Sequence, residues 1–189
     1  MLIRSLQPAV EREVALRKLS PTRPSGILRR WTMGKFLGLS DIYIPYRLYH
    51  VKIHDHRMQS SRLLAVDALS AALDPFEFSE PPAWDRCRYV ETRNQLPTRL
   101  AEIETRASVL AKARRLLFSA GFFRLAKPMI SAELESEFYV PYWAGFYGEE
   151  KSVGVVMLDA IRGTIEGGKA THSVRAWLLE DSEQRTVVA

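Results

Sequence analysis

A lone cysteine, Cys87, among 189 residues leaves no partner for an internal disulfide and points to a reducing compartment. No apolar run approaches the roughly eighteen residues that a spanning helix requires. Glu11, Arg12 and Glu13 interrupt any leader-like apolar region near the start. The expectation is therefore a soluble, cytoplasmic chain without a transmembrane segment. Glycine is sparse as well, with 10 residues and no Gly-x-Gly-x-x-Gly, and Gly34-Lys35 lacks the flanking residues of a phosphate loop. These gaps remove the common nucleotide-binding signatures. A hydrophobic fraction of 47% still supports a folded core without disulfides or structural metal.

Charge is unevenly distributed. Residues 1–62 hold 12 Lys or Arg against 4 Asp or Glu, a net of +8, which leaves −3 for residues 63–189. A basic amino-terminal third suits either an anionic partner, nucleic acid or a membrane surface, or the protein's own acidic remainder, and self-complementation is the favoured reading.

What the chain does contain is a pattern stated twice. Ile42-Tyr43-Ile44-Pro45-Tyr46 followed by Val66-Asp67-Ala68-Leu69 matches Phe138-Tyr139-Val140-Pro141-Tyr142 followed by Leu158-Asp159-Ala160-Ile161. The pairs Tyr43/Tyr139, Pro45/Pro141, Tyr46/Tyr142, Asp67/Asp159 and Ala68/Ala160 are identical, and the apolar positions around them stay apolar. Two supersecondary units of this kind bury faces together that neither buries alone.

Local patterns place elements around the matched stretches. Ala9–Leu19 reads as a short amphipathic helix, and Ile27–Leu37 has weaker helical spacing. Asp41–Ile53 and Arg62–Ala68 are rich in β-branched and aromatic residues and read as a hairpin. Pro45 belongs at an edge or near a strand start, because it has no N–H to donate. Residues 75–97 carry Pro75, Pro81, Pro82 and Pro97 and read as a linker. Thr98–Ser119 is the best helix, with Leu100, Ile103, Ala107, Leu110 and Leu117 as its stripe and Gly121 as its stop. Glu137–Tyr147 and Ser152–Asp159 repeat the hairpin, and Ser173–Glu180 closes the chain as a short helix. The expected fold is α+β: two related helix-plus-antiparallel-hairpin units from a tandem duplication, residues 1–74 and 98–189, joined by the linker, with their sheets either merged into one or facing each other.

A helix, an aromatic strand, a hairpin and a second strand ending in Asp159-Ala160-Ile161-Arg162-Gly163 resembles the PepSY-type repeat, whose units end in a similar Asp-Ala-x-x-Gly turn. In the first stretch Ala71 replaces the glycine, which makes a left-handed turn less favourable there. The resemblance implies a small non-enzymatic binding or regulatory module, or an inhibitory propeptide, and carries over no functional residues. Physically, each Asp ends an apolar strand, where its carboxylate caps backbone N–H groups of the next turn. A catalytic pair would instead bring Asp67 and Asp159 together in one cleft.

Other constellations have plain readings. His50, His54 and His56 share a strand face and suit a metal geometrically, but no Cys or Glu stands at ligand spacing, so a solvated hairpin tip is preferred and no cofactor or metal is assigned. Arg29, Arg30 and Lys35, interleaved with Trp31 and Phe36, form the candidate anion site. Cys87, between Arg86 and Arg88, lacks a neighbouring base, and His172-Ser173 reads as a helix cap. Catalytic residues are not assigned, and an enzyme is not expected. Tyr43, Tyr46, Tyr49, Tyr139, Tyr142 and Trp143 are the candidate partner-binding set. The functional expectation is a non-catalytic protein-interaction or regulatory module that uses exposed aromatic strands to bind a protein or a second copy of itself. The alternative is a binder of an anionic partner through the basic third.

Overall fold

The computed structural model describes residues 1–20, 33–55, 58–71, 73, 75–83, 87–119, 129–149, 152–167, 171–172 and 174–177. Its elements in chain order are β1 (Leu2–Leu6), α1 (Arg12–Leu19), β2 (Lys35–Asp55), β3 (Met58–Asp67), β4 (Phe76–Phe78), β5 (Cys87–Glu91), α2 (Glu102–Ser119), β6 (Met129–Glu149) and β7 (Ser152–Asp159). Residues 174–177 are also helical.

The expectation of two helix-plus-hairpin units is overturned. The protein is mostly β, and its strands form one large curled mixed sheet. The order is β4-β3-β2-β6-β1-β5, with β7 on the same edge of β6 as β1. The physical reason lies in strand length. β2 and β6 each run 21 residues and pair antiparallel from Lys35 opposite Gly148 to His54 opposite Met129. The matched stretches therefore hydrogen-bond to each other, and their two hairpins, β2–β3 and β6–β7, merge into one sheet. Register shifts at Phe36/Gly38 and Leu48/Tyr49 add bends to these long strands. The chain leaving β5 returns at once to the far side of β2, where Tyr43 bridges Gln95, so the sheet curls back on itself.

Alternation along β2 and β6 sorts the core by face. Ile42, Ile44, Tyr46 and Leu48 join Phe138, Val140, Tyr142 and Ala144 in the central cluster. On the other face Tyr49, Val51 and Ile53 lie under α2 with Val109, Ala113 and Leu117. There too, Tyr147, Val156 and Leu158 lie under α1 with Ala15 and Leu19. Pro45 and Pro141 sit inside these strands, beside Tyr139 and Tyr43 respectively, where the β2–β6 ladder changes its outer neighbours.

Several local expectations shift. Residues 75–97 contribute β4, β5 and the Gln95 bridge to the sheet. Lys35–Leu37 is strand, not helix, and the rest of that segment before Met33 lies outside the described residues, as do Gly121 and residues 178–180 of the closing helix. Within α2 the buried side chains are Thr105, Val109, Ala113 and Leu117, whereas Ile103 is 68% exposed. Of the predicted stripe Leu117 is buried and Leu110 packs partly against the sheet, whereas Ile103 and Ala107 face out. The buried face also takes Thr105, which tolerates burial because its hydroxyl is satisfied at Tyr49.

Each helix docks on the hairpin that belongs to the other matched stretch. α1 precedes β2, yet Tyr147 donates its hydroxyl to the Leu19 carbonyl, Trp143 donates Nε1–H to the Val10 carbonyl, and Lys18 bonds the Gly163 carbonyl. α2 precedes β6, yet Arg47 donates to the Leu100 carbonyl, Tyr49 bonds Thr105, and Lys112 bonds the Leu73 carbonyl. The backbone leading into each helix follows suit: Ala9 and Val10 donate to the Ala160 carbonyl, and Arg99 and Leu100 donate to the Ala68 carbonyl.

Candidate functional site at the β1–β5 corner

The identical residues of the two stretches converge at the centre of the sheet. Tyr46 lies opposite Asp67 on the β2–β3 ladder and Tyr142 lies opposite Asp159 on the β6–β7 ladder. The two tyrosine hydroxyls meet at 2.8 Å. Burial pushes both phenol pKa values well above the ordinary value, so the pair is neutral and its hydrogen bond is between two hydroxyls.

Both aspartates are buried, each under its own turn. Asp67 Oδ1 accepts from the Ser70 and Ala71 N–H groups and from the Ser70 hydroxyl, and Oδ2 accepts from Leu73 N–H. Asp159 Oδ1 accepts from Ile161 and Arg162 N–H, while its Oδ2 has no hydrogen bond and lies 3.8 Å from Arg162 Nε. Burial raises the Asp159 pKa, against the two backbone donors that lower it. The carboxylates cap turns and do not share a cleft.

The candidate partner-binding aromatics divide sharply. Tyr43, Tyr46, Tyr49 and Tyr142 are buried and belong to the fold, which corrects the expectation that they line an exposed strand face. Their hydroxyls are occupied: Arg88 donates to Tyr43, Thr105 pairs with Tyr49, and Tyr46 pairs with Tyr142. Burial raises the phenol pKa of Tyr43, Tyr49 and Tyr139 as well. Only Tyr139 and Trp143 of the set are half-buried. Period-2 alternation alone cannot tell a solvated aromatic face from one covered by a helix, and the covering helices come from distant parts of the chain.

Three cations of the basic third pair with carboxylates of the acidic remainder. Arg47 pairs with Glu137 at 2.6 Å, Lys52 with Glu133 at 2.8 Å, and Arg62 with Glu77 at 2.8 Å. Arg4 donates to the Glu137 carbonyl and Lys18 to the Gly163 carbonyl. In the candidate anion site Lys35 is exposed at the start of β2, and Arg29 and Arg30 lie outside the described residues.

His50 is half-buried opposite Glu133, His54 is exposed four residues on, and His56 lies outside the described residues. Among the described residues no group of three or more His, Cys, Asp or Glu is placed to hold a metal. Arg4 and His50 line different cavities. Cys87 is half-buried, opposite Leu6 on the β1–β5 ladder and packed against the central core.

The surface that sequence reasoning missed is a corner where β1, β2 and β6 meet. A cavity of about 230 Å³ there is lined by Met1, Leu2, Arg4, Arg47, Glu137 and Tyr139, among others. Met1 is 72% exposed and Leu2 63%, and Tyr89, opposite Arg4 on the neighbouring strand β5, is 64% exposed. β5 ends the strand order, so Tyr89 sits on the edge strand and Leu2 on the strand beside it. The short motifs Leu2–Leu6 and Cys87–Glu91 give no periodic signal strong enough to reveal this in the sequence. Arg47 holds the floor of the corner by joining Glu137, the Leu100 carbonyl and Thr105 Oγ1.

No helix among the described residues is long and apolar enough to cross a membrane. No protein-family model, curated protein or solved structure matches the chain.

Proposed function

We propose that this chain is a non-catalytic protein-interaction or regulatory module whose partner, another protein, docks at the β1–β5 corner. The observation that carries this reading is the juxtaposition of exposed Leu2 and Tyr89 on the neighbouring strands β1 and β5, with Leu2 also lining a cavity of about 230 Å³. Apolar and aromatic side chains around a small pocket are the anatomy of an interface hot spot, where one partner side chain is buried and its neighbours exclude water. A sheet edge adds unpaired backbone groups to the same surface. Tyr139 lines the cavity, so one member of the aromatic set stays in the proposed interface.

The reading also treats residues 42–69 and 138–161 as a tandem repeat of PepSY-like type. Its support is the parallel placement of Asp67 and Asp159 as turn caps and of Tyr46 and Tyr142 across from them. In such a module the repeated polar residues shape the backbone, and binding falls to positions where the two stretches differ.

The test compares proteins retained from the native cell by the wild type and by a Leu2→Glu/Tyr89→Glu variant. Both positions are exposed, so the variant keeps the fold by circular dichroism. A partner retained by the wild type and lost from the variant supports the corner. A partner that both retain equally removes it.

A further inference from the structure

We propose that the outer face of α2 is a two-fold interface between two copies of this chain, with the helices antiparallel. This surface is separate from the β1–β5 corner and stands without it. Thr105, Val109, Ala113 and Leu117 turn toward the sheet, so the opposite face of the helix carries Ile103, Glu104, Ala107, Ala111, Arg114 and Arg115, all exposed. Ile103, at 68% exposure, is a large β-branched side chain left in water on a helix whose other β-branched residues, Thr105 and Val109, are buried.

The face is self-complementary about the level of Val109. In an antiparallel two-fold pair centred there, Glu104 of one copy meets Arg114 of the other, Ala107 meets Ala111, and the Ile103 side chain lies along the aliphatic stem of Arg115. Every contact occurs twice. The alanines in the middle let the helix axes approach closely, and the opposite charges sit symmetrically at the two ends. Among the described residues the Arg114 and Arg115 side chains have no hydrogen bond or ion pair. Glu104 spends one oxygen on the Ala101 N–H at the helix start, which fixes its carboxylate and leaves the second oxygen for a partner. A parallel arrangement would set Arg114 against Arg114, so charge selects the antiparallel one. One helix face is small beside the roughly 1,200–2,000 Å² of a standard interface, so the association is weak and concentration-dependent.

Sedimentation equilibrium over a wide concentration range tests this on the full chain. The wild type is expected to show a monomer–dimer equilibrium that Ala111→Glu abolishes and Arg114→Glu weakens about tenfold or more. The charge-exchanged Glu104→Arg/Arg114→Glu variant restores the attraction and recovers most of that loss. Glu104→Arg also removes the Ala101 cap, so thermal melts accompany each variant to separate folding from association. A second readout needs no disruptive substitution. In a Cys87→Ser background, Ala107→Cys mixed with Ala111→Cys forms a disulfide-linked dimer faster than either variant alone, because the unlike positions face each other. A wild type that stays monomeric throughout overturns the proposal, as does a dimer that Ala111→Glu leaves intact.

Discussion

The Tyr46 and Tyr142 hydroxyls share a 2.8 Å hydrogen bond in the buried centre of the sheet, and each tyrosine faces a buried aspartate across its own hairpin. Neither hydroxyl reaches water, so each depends on the other. Removing one leaves a buried donor and acceptor unsatisfied, which costs more than the hydrogen bond itself contributes.

Tyr46→Phe and Tyr142→Phe are each expected to lower unfolding free energy by about 1–3 kcal/mol. The double variant removes both hydroxyls and keeps both rings, so its cost falls below the sum of the singles by about 0.5–3 kcal/mol. Urea denaturation of the four proteins in a double-mutant cycle measures that difference. Strict additivity would mean that the hydroxyls do not rely on each other.

The two aspartates, identical in sequence position, are expected to respond differently to amidation. Asp67 uses both oxygens as acceptors, and in Asp67→Asn the side-chain NH2 confronts either the Leu73 or the Ala71 N–H. That clash costs about 1–3 kcal/mol. Asp159 uses one oxygen and leaves Oδ2 without a hydrogen bond, so Asp159→Asn keeps its two backbone contacts and loses about 1 kcal/mol or less at neutral pH.

Asp159 also sets a pH dependence. Its folded pKa is raised above 3.8, so the folded state holds this proton more tightly than the unfolded chain. The stability from that proton is full below the unfolded pKa and is lost as pH rises through the folded value. Stability of the wild type relative to Asp159→Asn should therefore fall as pH rises from about 3.8 and level off above the folded pKa. Paired melts across that range check the sign, and a relative gain in wild-type stability would contradict the burial argument.

Ala71 has φ of +53° and Gly163 has φ of +71°, so both post-aspartate turns enter the left-handed region despite the different residues. Ala71 bears the steric cost of its Cβ there, and Ala71→Gly is expected to stabilise by up to about 1 kcal/mol. Gly163→Ala adds the same cost and places a Cβ 3.1 Å from Lys18 Nζ and 3.3 Å from Val10 Cγ2. It should destabilise by about 1–2 kcal/mol and loosen the end of α1. Thermal melts with hydrogen exchange over residues 12–19 measure both effects.

Much of the sheet's centre was legible in the sequence. The apolar alternation around Tyr43–Tyr46 and Tyr139–Tyr142 located the strands, and strand-terminal Asp followed by Ala located the turns, because both signals arise within a few residues. Strand length was not legible: Lys35–Leu39 carries no β-branched residue, yet it pairs with Gly145–Gly148. Gly34, with φ of +87° and Gly148 packed against it, permits that close start. The exposure of the aromatics was not legible either, since Tyr49 and Tyr147 are covered by helices about fifty-six and one hundred and twenty-eight residues away in sequence. Ala71 misled in a further way, because the hydrogen bond from its N–H to Asp67 holds a conformation that its side chain disfavours.

The crossed docking of the helices makes the two halves of the chain interdependent. α1 completes the β6–β7 hairpin through Leu19, Lys18 and the Val10 carbonyl just before it, and α2 completes the β2–β3 hairpin through Thr105, Lys112 and the Leu100 carbonyl just before it. Residues 79–81 and Ala83 are exposed between β4 and β5, so a break there severs few contacts. Co-expressed fragments 1–83 and 84–189 should assemble into a stable non-covalent complex with the circular dichroism of the intact chain. Each fragment alone leaves a 21-residue strand without its full-length neighbour and a hairpin without its helix, and is expected to be unfolded or aggregated. Co-purification by a tag on one fragment, compared with each expressed singly, decides the matter. Fragments that fold alone and ignore each other would mean that the halves are separate units after all, against the continuous β2–β6 ladder.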